Sequence, residues 1–146
     1  MNSTRQEPYS DFERSLTALR DRLALCLTRV DALQADADLP EEPRREALAF
    51  NLERAAWTSI ELAQAWVIEK RLGFPKKETE AIDILMREGI LPPEVARPLR
   101  QACDYRSLSA RAPERVDWDH AGTETAIASF RVWKDFITLF VEGRRV

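Results

Sequence analysis

Glycine, cysteine and histidine are scarce in this sequence, and each scarcity excludes a class of protein. Four glycines in 146 residues argue against a turn-rich all-β protein. Cys26, Cys103 and His120 are too few and too scattered for a four-ligand zinc site, and two cysteines make no disulfide framework. No apolar run approaches the ~18 residues of a membrane span. The first residues form no apolar signal segment, which predicts a cytoplasmic protein without membrane contact.

The charge balance indicates no general affinity for nucleic acid, since the net charge is −3 and the pI about 5.3. Residues 93–116 nevertheless hold five arginines against three carboxylates, a local excess of two positive charges: Arg97, Arg100, Arg106, Arg111 and Arg115 against Glu94, Asp104 and Glu114. This excess is compatible with local RNA binding but is too small to indicate it alone, and a solvated helix face is the simpler interpretation. The length and 45% hydrophobic content predict one domain, residues 1–146, with a polar, disordered stretch over residues 1–9.

An unbroken heptad stripe predicts the first helix. Apolar residues recur at alternating spacings of four and three: Phe12, Leu16, Leu19, Leu23, Cys26, Val30 and Leu33. Ser10 or Asp11 can cap this helix, and it should run to about Ala35. A cysteine inside such a stripe is expected to be part of the core.

The second predicted helix runs from about Pro43 to about Leu72, where Gly73-Phe74-Pro75 stops it, and it has two distinct faces. One face collects small and apolar residues: Leu48, Leu52, Ala55, Ala56, Ser59, Leu62, Ala63 and Trp66. The nearly opposite face collects Phe50, Trp57, Glu61, Gln64 and Ile68. A surface helix of a monomer needs one apolar face, so two faces predict a central helix or a subunit interface. A carboxylate among apolar neighbours needs a partner or has a function, because an unpaired buried charge is costly.

The remainder of the chain also reads as helical. A short helix is predicted over residues 77–88 with Gly89 as its C-cap, a fourth over residues 94–108 with a kink or a 3₁₀ start at Pro98, a loop over residues 109–118, and a last helix over residues 119–142. The last helix has a wide apolar arc, which predicts burial on more than one side: Ile127, Phe130, Val132, Trp133, Phe136, Ile137 and Phe140. The expected fold is therefore an all-α, up-down bundle of four long helices and one short helix.

Residues typical of catalysis are scarce. The sequence contains no glycine-rich phosphate loop, zinc-protease helix motif or nucleophile elbow. Ser107 and Ser109 lack an identifiable base, and His120 reads as a surface or capping residue near a helix start.

Several short segments between Asn51 and Asp117 resemble a known family in their order and spacing. They are Ser59-Ile60-Glu61-Leu62-Ala63-Gln64, Leu72-Gly73-Phe74-Pro75, Ala81-Ile82-Asp83-Ile84-Leu85, Glu88-Gly89-Ile90-Leu91-Pro92, and Leu99-Arg100 followed by Tyr105-Arg106. With them the chain resembles the HepT-like family of the HEPN superfamily, small helical bacterial proteins often encoded beside a minimal nucleotidyltransferase. The resemblance implies a HEPN-like bundle.

Active members of that family carry Arg-x-x-x-x-His-x-Tyr at the end of the fourth helix. The resemblance implies a ribonuclease without metal or cofactor, in which the histidine acts on the 2′-OH and the arginine steadies the phosphorane charge in the cleft of a symmetric dimer. The tyrosine is the position that partner nucleotidyltransferases can modify with AMP. In this sequence the arginine is Arg106, followed by Ser107 instead of the usual asparagine, while Arg111 and Pro113 stand at the histidine and tyrosine positions. Arginine stays protonated near neutral pH and cannot shuttle a proton.

The sequence therefore predicts a retained fold with a degenerate site and no assignable catalytic residue. The RNA- or phosphate-binding candidates are Arg100, Arg106, Ser107 and Arg111. Glu61 and Tyr105 are expected to support the cleft, with Glu61 paired to Arg106 within one subunit or across a dimer axis. A homodimer is expected to use Phe50, Trp57, Glu61 and Ile68 in its contact, because an exposed apolar ridge is unusual in a monomer.

Two functions follow from this resemblance. The first is a non-catalytic partner or binding subunit of a minimal nucleotidyltransferase in a toxin–antitoxin-type system, with weak RNA or phosphate binding. The alternative is an active ribonuclease toxin with a displaced or substitute catalytic residue, for which His120, nine residues after Arg111, is the candidate. A weaker third possibility is a structural dimer without a ligand.

Overall fold

A computed structural model describes residues 10–111 and 120–143, except for the side chains of residues 105–111, 120 and 121. Five α-helices occupy this part of the chain, without a strand: α1 (Asp11–Ala35), α2 (Glu41–Glu69), α3 (Glu80–Arg87), α4 (Pro93–Arg111) and α5 (His120–Gly143). The predicted all-α architecture of four long helices and one short helix is confirmed. No described helix is both long enough and apolar enough to cross a bilayer. The disorder predicted for residues 1–9 lies outside the described residues.

Helix α1 follows its heptad stripe. Ser10 is the N-cap, and its side-chain oxygen accepts a hydrogen bond from the Glu13 backbone N–H at 3.2 Å. Most of the stripe is buried, including Cys26, which is 1% exposed and is a free thiol. The prediction that this cysteine is core is confirmed.

Helix α2 begins at Glu41, two residues before the predicted start, and ends at Glu69, three residues before the predicted end. Pro40 is the N-cap, which places Pro43 in the first turn, where its missing N–H costs nothing. Beyond Glu69 the backbone takes left-handed angles at Arg71 (φ 54°) and Gly73 (φ 127°), which no α-helix continues through. The sequence prediction relied on Gly73 and missed the earlier stop at Arg71.

Helix α3 starts three residues later than predicted. The Glu80 carboxylate accepts hydrogen bonds from the backbone N–H groups of Lys76 and Lys77, at 2.7 and 3.3 Å, so these residues form a turn before the helix. Gly89 follows the helix with φ 73°, in agreement with its predicted role at the C-terminus.

Helix α4 is longer than predicted at both ends. It begins as an α-helix at Pro93, so the proposed 3₁₀ start is wrong, while a kink at Pro98 remains a prediction. It continues to Arg111, so residues 109–111 are helical and not loop. The sequence has no strong helix breaker between Pro98 and Pro113, which is consistent with the extension. The rest of the predicted loop lies outside the described residues.

The four long helices run alternately up and down. At one end of the bundle, the Arg44 side chain of α2 reaches the C-terminus of α1, and Glu124 of α5 accepts a hydrogen bond from Gln34 at 2.7 Å. At the other end, Trp66 meets Phe12. Helix α5 therefore starts beside the N-terminus of α2, and α4, which precedes it, runs antiparallel to α2.

Trp66 of α2 is the centre of the core. Its ring contacts aromatic rings from α1 and α5, with centroids 4.4–6.3 Å apart: Phe12, Trp133, Phe136 and Phe140. Because α2 contacts every other helix, the predicted central position of α2 is confirmed. Helix α5 is less deeply buried than predicted, since Val132 is 47% exposed and Phe136 and Phe140 are only half-buried.

Candidate functional site

The second face of α2 remains in solvent although the helix is central. Phe50, Trp57 and Ile68 are 56%, 45% and 58% exposed, and their spacings of seven and eleven residues align them along one side of the helix. Glu61 and Gln64 lie between them and are half-buried. The two-faced pattern read from the sequence is thus present, and the dimer contact inferred from it stays a prediction.

A groove of about 380 Å³ runs beside this face, between α1 and α2. It is lined by Arg22, Phe50, Glu53, Arg54, Trp57 and Thr58. The guanidinium carbon of Arg54 lies 5.5 Å from the centroid of the Phe50 ring, in the range of a cation–π interaction. The lining thus combines two guanidinium groups and one carboxylate with two aromatic rings, a chemistry that suits polar and aromatic partners.

Glu61 has a cationic partner on α1. Its Oε2 lies 3.7 Å from Nη1 of Arg22, and the two side chains are 33% and 51% exposed. The expectation that this carboxylate needs a cation is met by a residue that the sequence did not single out. Arg22 lies off the heptad stripe of α1, and no local pattern distinguishes it from the other arginines of that helix.

Arg106 and Arg111, which the resemblance places in the family motif, lie on the last turns of α4, where the structure describes the backbone. The buried thiol of Cys103 donates to the Ala56 carbonyl of α2 at 3.8 Å, which fixes the relative height of the two antiparallel helices. At 1.5 Å per residue, Arg106 lies about 4.5 Å from this contact toward Glu53, while Glu61 lies about 7.5 Å from it in the opposite direction. A Glu61–Arg106 pair within one subunit would have to span this axial separation.

The other motif residues lie on a different side of α4. Arg100, Ser107 and Arg111 follow spacings of seven and four, which places them in one row, whereas Arg106 continues the row of Leu99 and Cys103. The backbone of Tyr105 is helical between these rows. Pro113, at the family's tyrosine position, lies outside the described residues.

Arg100 is already held by two carboxylates. Its Nη1 lies 2.9 Å from Oδ1 of Asp83, and its Nε lies 3.9 Å from Oδ2 of Asp104. The first of these contacts joins α3 to α4. A phosphate at Arg100 would therefore compete with carboxylates that already satisfy the guanidinium.

Metal chemistry finds no support in the described part of the chain. No group of three or more histidine, cysteine or acidic side chains there lies close enough to hold a metal ion. His120 is the first residue of α5, in agreement with the predicted helix start.

Comparison with known proteins identifies the family. A family model described as ribonuclease HepT-like matches residues 19–121, from α1 through the start of α5. The chain belongs to the HepT-like family. The matched region of this HepT-like chain contains the groove, the exposed face of α2 and the α4 motif.

Solved structures share the fold of this HepT-like chain. A tri-AMPylated Shewanella oneidensis HEPN toxin in complex with an MNT antitoxin matches with a TM-score of 0.78 at 14% identity, over 89% of this chain and 98% of that one. A toxin–antitoxin structure with AMP-PNP gives the same TM-score and identity, over 88% and 99%. YutE from Bacillus subtilis, described as a cytosolic protein of unknown function, matches at 0.61 and 12% identity, over 86% and 85%. No curated protein matches the chain.

Proposed function

We propose that this HepT-like chain is a non-catalytic subunit of a toxin–antitoxin-type system and binds a minimal nucleotidyltransferase in the cytoplasm. The proposal rests on a retained family fold together with two residues of the sequence: Arg111 and Pro113 stand where the resemblance places the family's histidine and tyrosine. Proton transfer near neutral pH needs a group that accepts and returns a proton, and arginine does not. Proline has no hydroxyl to modify.

The partner assignment draws on the fold neighbours. The Shewanella oneidensis HEPN toxin was solved in complex with an MNT antitoxin. Its structure aligns with this chain at a TM-score of 0.78, over 89% of this chain and 98% of that one. A partner that recognises the bundle surface needs no intact catalytic motif on it. Binding to a nucleotidyltransferase is therefore compatible with the loss of the histidine and the tyrosine.

The proposed subunit is a homodimer that uses the exposed face of α2. Phe50, Trp57 and Ile68 supply apolar area along one side of the helix, and Arg54 and Glu61 supply charges of both signs on the same face. A two-fold contact sets such a face against its own copy, so opposite charges can meet across the axis. Arg106 and Arg111 of both copies are the residues that we propose for weak binding of phosphate or RNA.

A ribonuclease assay tests the absence of catalysis. We expect the purified protein to leave mixed RNA intact near background, because general acid–base help is typically worth ~10²–10⁴ in rate. The double variant Arg111→His plus Pro113→Tyr restores the family residues, and a gain of cleavage in it alone supports a retained cleft without its base. Robust cleavage by the unmodified protein that His120→Ala abolishes contradicts the proposal and favours the displaced-histidine toxin.

Association with the partner is tested separately. Co-expression with the product of the neighbouring gene, which we expect to be a minimal nucleotidyltransferase, followed by affinity purification of the tagged partner, should recover both proteins in a stable ratio. Failure to recover a complex with that protein removes the partner assignment and leaves the catalytic question to the cleavage assay.

A further inference from the structure

The segment after α2 presents an isolated aromatic ring to solvent. We name residues 70–77 the tip loop, since they join α2 to the turn before α3. Phe74 in this loop is 88% exposed, more than any other large hydrophobic side chain that is described. Such exposure leaves both faces of the phenyl ring accessible to a ligand.

The tip loop is held by backbone hydrogen bonds at both ends. Where α2 ends, the N–H groups of Lys70 and Leu72 donate to the carbonyls of Trp66 and Val67, both at 3.0 Å. Where the loop ends, the Glu80 carboxylate accepts the N–H groups of Lys76 and Lys77. Phe74 therefore stands on a segment anchored on both sides, which limits the entropy that binding must remove.

Four exposed cations lie within four residues of Phe74 in the sequence: Lys70, Arg71, Lys76 and Lys77. Within the described residues, none of the four forms an ion pair within 4.0 Å, whereas Arg20, Arg22, Arg45 and Arg100 each do. The same stretch also holds three carboxylates, Glu69, Glu78 and Glu80, and the Glu80 carboxylate accepts the backbone N–H groups of Lys76 and Lys77 and is attracted to their charges. Residues 69–80 thus carry four cations against three carboxylates, an excess of one positive charge on a chain whose net charge is −3.

We infer that the tip loop is a binding site for single-stranded RNA. A base stacks on Phe74, and the phosphates on either side lie against Lys76, Lys77, Lys70 and Arg71. Aromatic stacking combined with a basic track is the usual mode of sequence-tolerant single-strand binding. A protein partner would favour an anchor ringed by further apolar side chains that exclude water, and here the ring is flanked by cations.

This site is separate from the α4 motif. Ala56 and Cys103 lie at the same height in the bundle. Lys70 is fourteen residues from Ala56 in one direction, and Arg106 is three residues from Cys103 in the opposite direction. Lys70 and Arg106 are therefore about 25 Å apart along the bundle axis. The inference goes beyond the proposed function, because RNA binding at the tip loop requires neither cleavage nor a nucleotidyltransferase.

Fluorescence anisotropy with a short labelled single-stranded oligoadenylate tests the site on the full chain. Phe74→Ala should weaken binding at least about fivefold, and Phe74→Trp should retain it, because a larger ring keeps the stacking face. The double variant Lys76→Gln plus Lys77→Gln should reduce the slope of log K against log salt by about 1.4, that is, about 0.7 for each lost phosphate contact.

Matched controls come from exposed residues far from the loop. Leu139→Ala removes an apolar side chain that is 72% exposed on α5, and Arg29→Gln removes an exposed cation of α1; neither should change the affinity beyond error. Wild-type protein that binds no RNA, or a Phe74→Ala variant that binds as tightly as wild type, overturns the inference. Loss of nucleotidyltransferase binding in Phe74→Ala with unchanged RNA binding also overturns it, and identifies the loop as a protein-docking site.

Discussion

Arg22 of α1 and Glu61 of α2 form an ion pair across the edge of the groove, with 3.7 Å between Nη1 and Oε2. Arg22 lines the groove, and Glu61 lies one turn of α2 beyond the groove residue Trp57. Both side chains keep contact with water, at 51% and 33% exposure, so solvent screens their attraction. The carboxylate is thus partnered within one chain and also open to a second partner from a neighbouring copy.

The variant Glu61→Gln distinguishes a carboxylate that pairs only with Arg22 from one that also pairs with a residue of a second subunit. If Arg22 is the only cation near Glu61, the exposed pair is worth at most about 1 kcal/mol, and the free energy of unfolding should fall by no more than this. If Arg106 of a second subunit buries the carboxylate in a dimer, the loss should rise to roughly 3–5 kcal/mol. Urea denaturation at two protein concentrations measures both the size of the loss and its dependence on dimerisation. Arg22→Gln is the matched variant, and it should reproduce the smaller loss alone.

The elements of this fold were predictable because their signals are local. The spacing of Leu16, Leu23 and Val30 defines α1, and Ser10 marks its start. The predicted end of α2 was less accurate. Gly73 is a stop signal that the sequence shows, but the helix ends earlier because Arg71 adopts φ 54°. Arginine has no preference for this angle, so the sequence does not indicate it. The burial of Val132 was overestimated. Periodicity shows which side of a helix is apolar, but it does not show how much of that side the neighbouring helices cover.

The site was less predictable than the fold because its parts come from different helices. Trp57 and Glu61 were found from one stripe of α2, whereas Arg22 reaches the groove from α1 and depends on how the two helices are rotated. The cationic partner of Glu61 therefore required the tertiary structure. The tip loop shows the same limit, since its sequence reads only as a helix stop, and the exposure of Phe74 follows from the packing of α2 and α3.

Trp57→Glu should convert the protein to monomers. The indole is 45% exposed at the middle of the α2 ridge, and a carboxylate there would face its own copy across a two-fold contact, adding like-charge repulsion to the loss of apolar area. Light scattering after size-exclusion chromatography should show twice the chain mass for wild type and a single chain mass for the variant. Leu139→Glu, which places the same charge at a 72% exposed position of α5, should remain dimeric. A monomeric wild type would contradict the proposed contact.

Arg44 stabilises the turn between α1 and α2 through side-chain hydrogen bonds. Its guanidinium donates to the carbonyls of Leu33 at 2.7 Å, Gln34 at 3.3 Å and Leu39 at 2.9 Å, and also to that of Asp36. These carbonyls belong to the C-terminal end of α1, where helix carbonyls lack intrahelical donors, and to the turn that follows it, where the Asp36 carbonyl also accepts the Leu39 N–H at 3.4 Å. Arg44→Gln should lower the free energy of unfolding by about 1.5–3 kcal/mol, the range for hydrogen bonds to a charged group.

The neighbouring arginine provides a control for this prediction. Arg45 pairs with Glu41 one turn earlier, at 2.7 Å on an exposed surface, and Arg45→Gln should cost no more than about 0.5 kcal/mol. Arg44→Lys keeps the charge but loses the planar fork, and it should be destabilised nearly as much as Arg44→Gln. Equal denaturation midpoints for the Arg44 and Arg45 variants would show that the four carbonyl contacts contribute nothing in solution.

Acidification should weaken the hydrogen bonds by which the Glu80 carboxylate holds the end of the tip loop. The backbone N–H groups of Lys76 and Lys77 hold the pKa of this carboxyl below its ordinary value of 4.5, since they bond to the charged form. A carboxyl whose pKa is lowered in the folded state contributes stability above its unfolded pKa, and this contribution is lost as the pH falls through the folded value. The amide protons of Lys76 and Lys77, followed by NMR, should therefore shift below about pH 4.5, and their protection relative to the intrinsic exchange rate at each pH should fall. In Glu80→Gln they should not respond to this titration, and the Lys70 amide, bonded to the Trp66 carbonyl, should remain constant in both proteins. Constant Lys76 and Lys77 amides in the wild-type protein down to about pH 2, well below an ordinary carboxyl pKa, would show that Glu80 does not hold the loop.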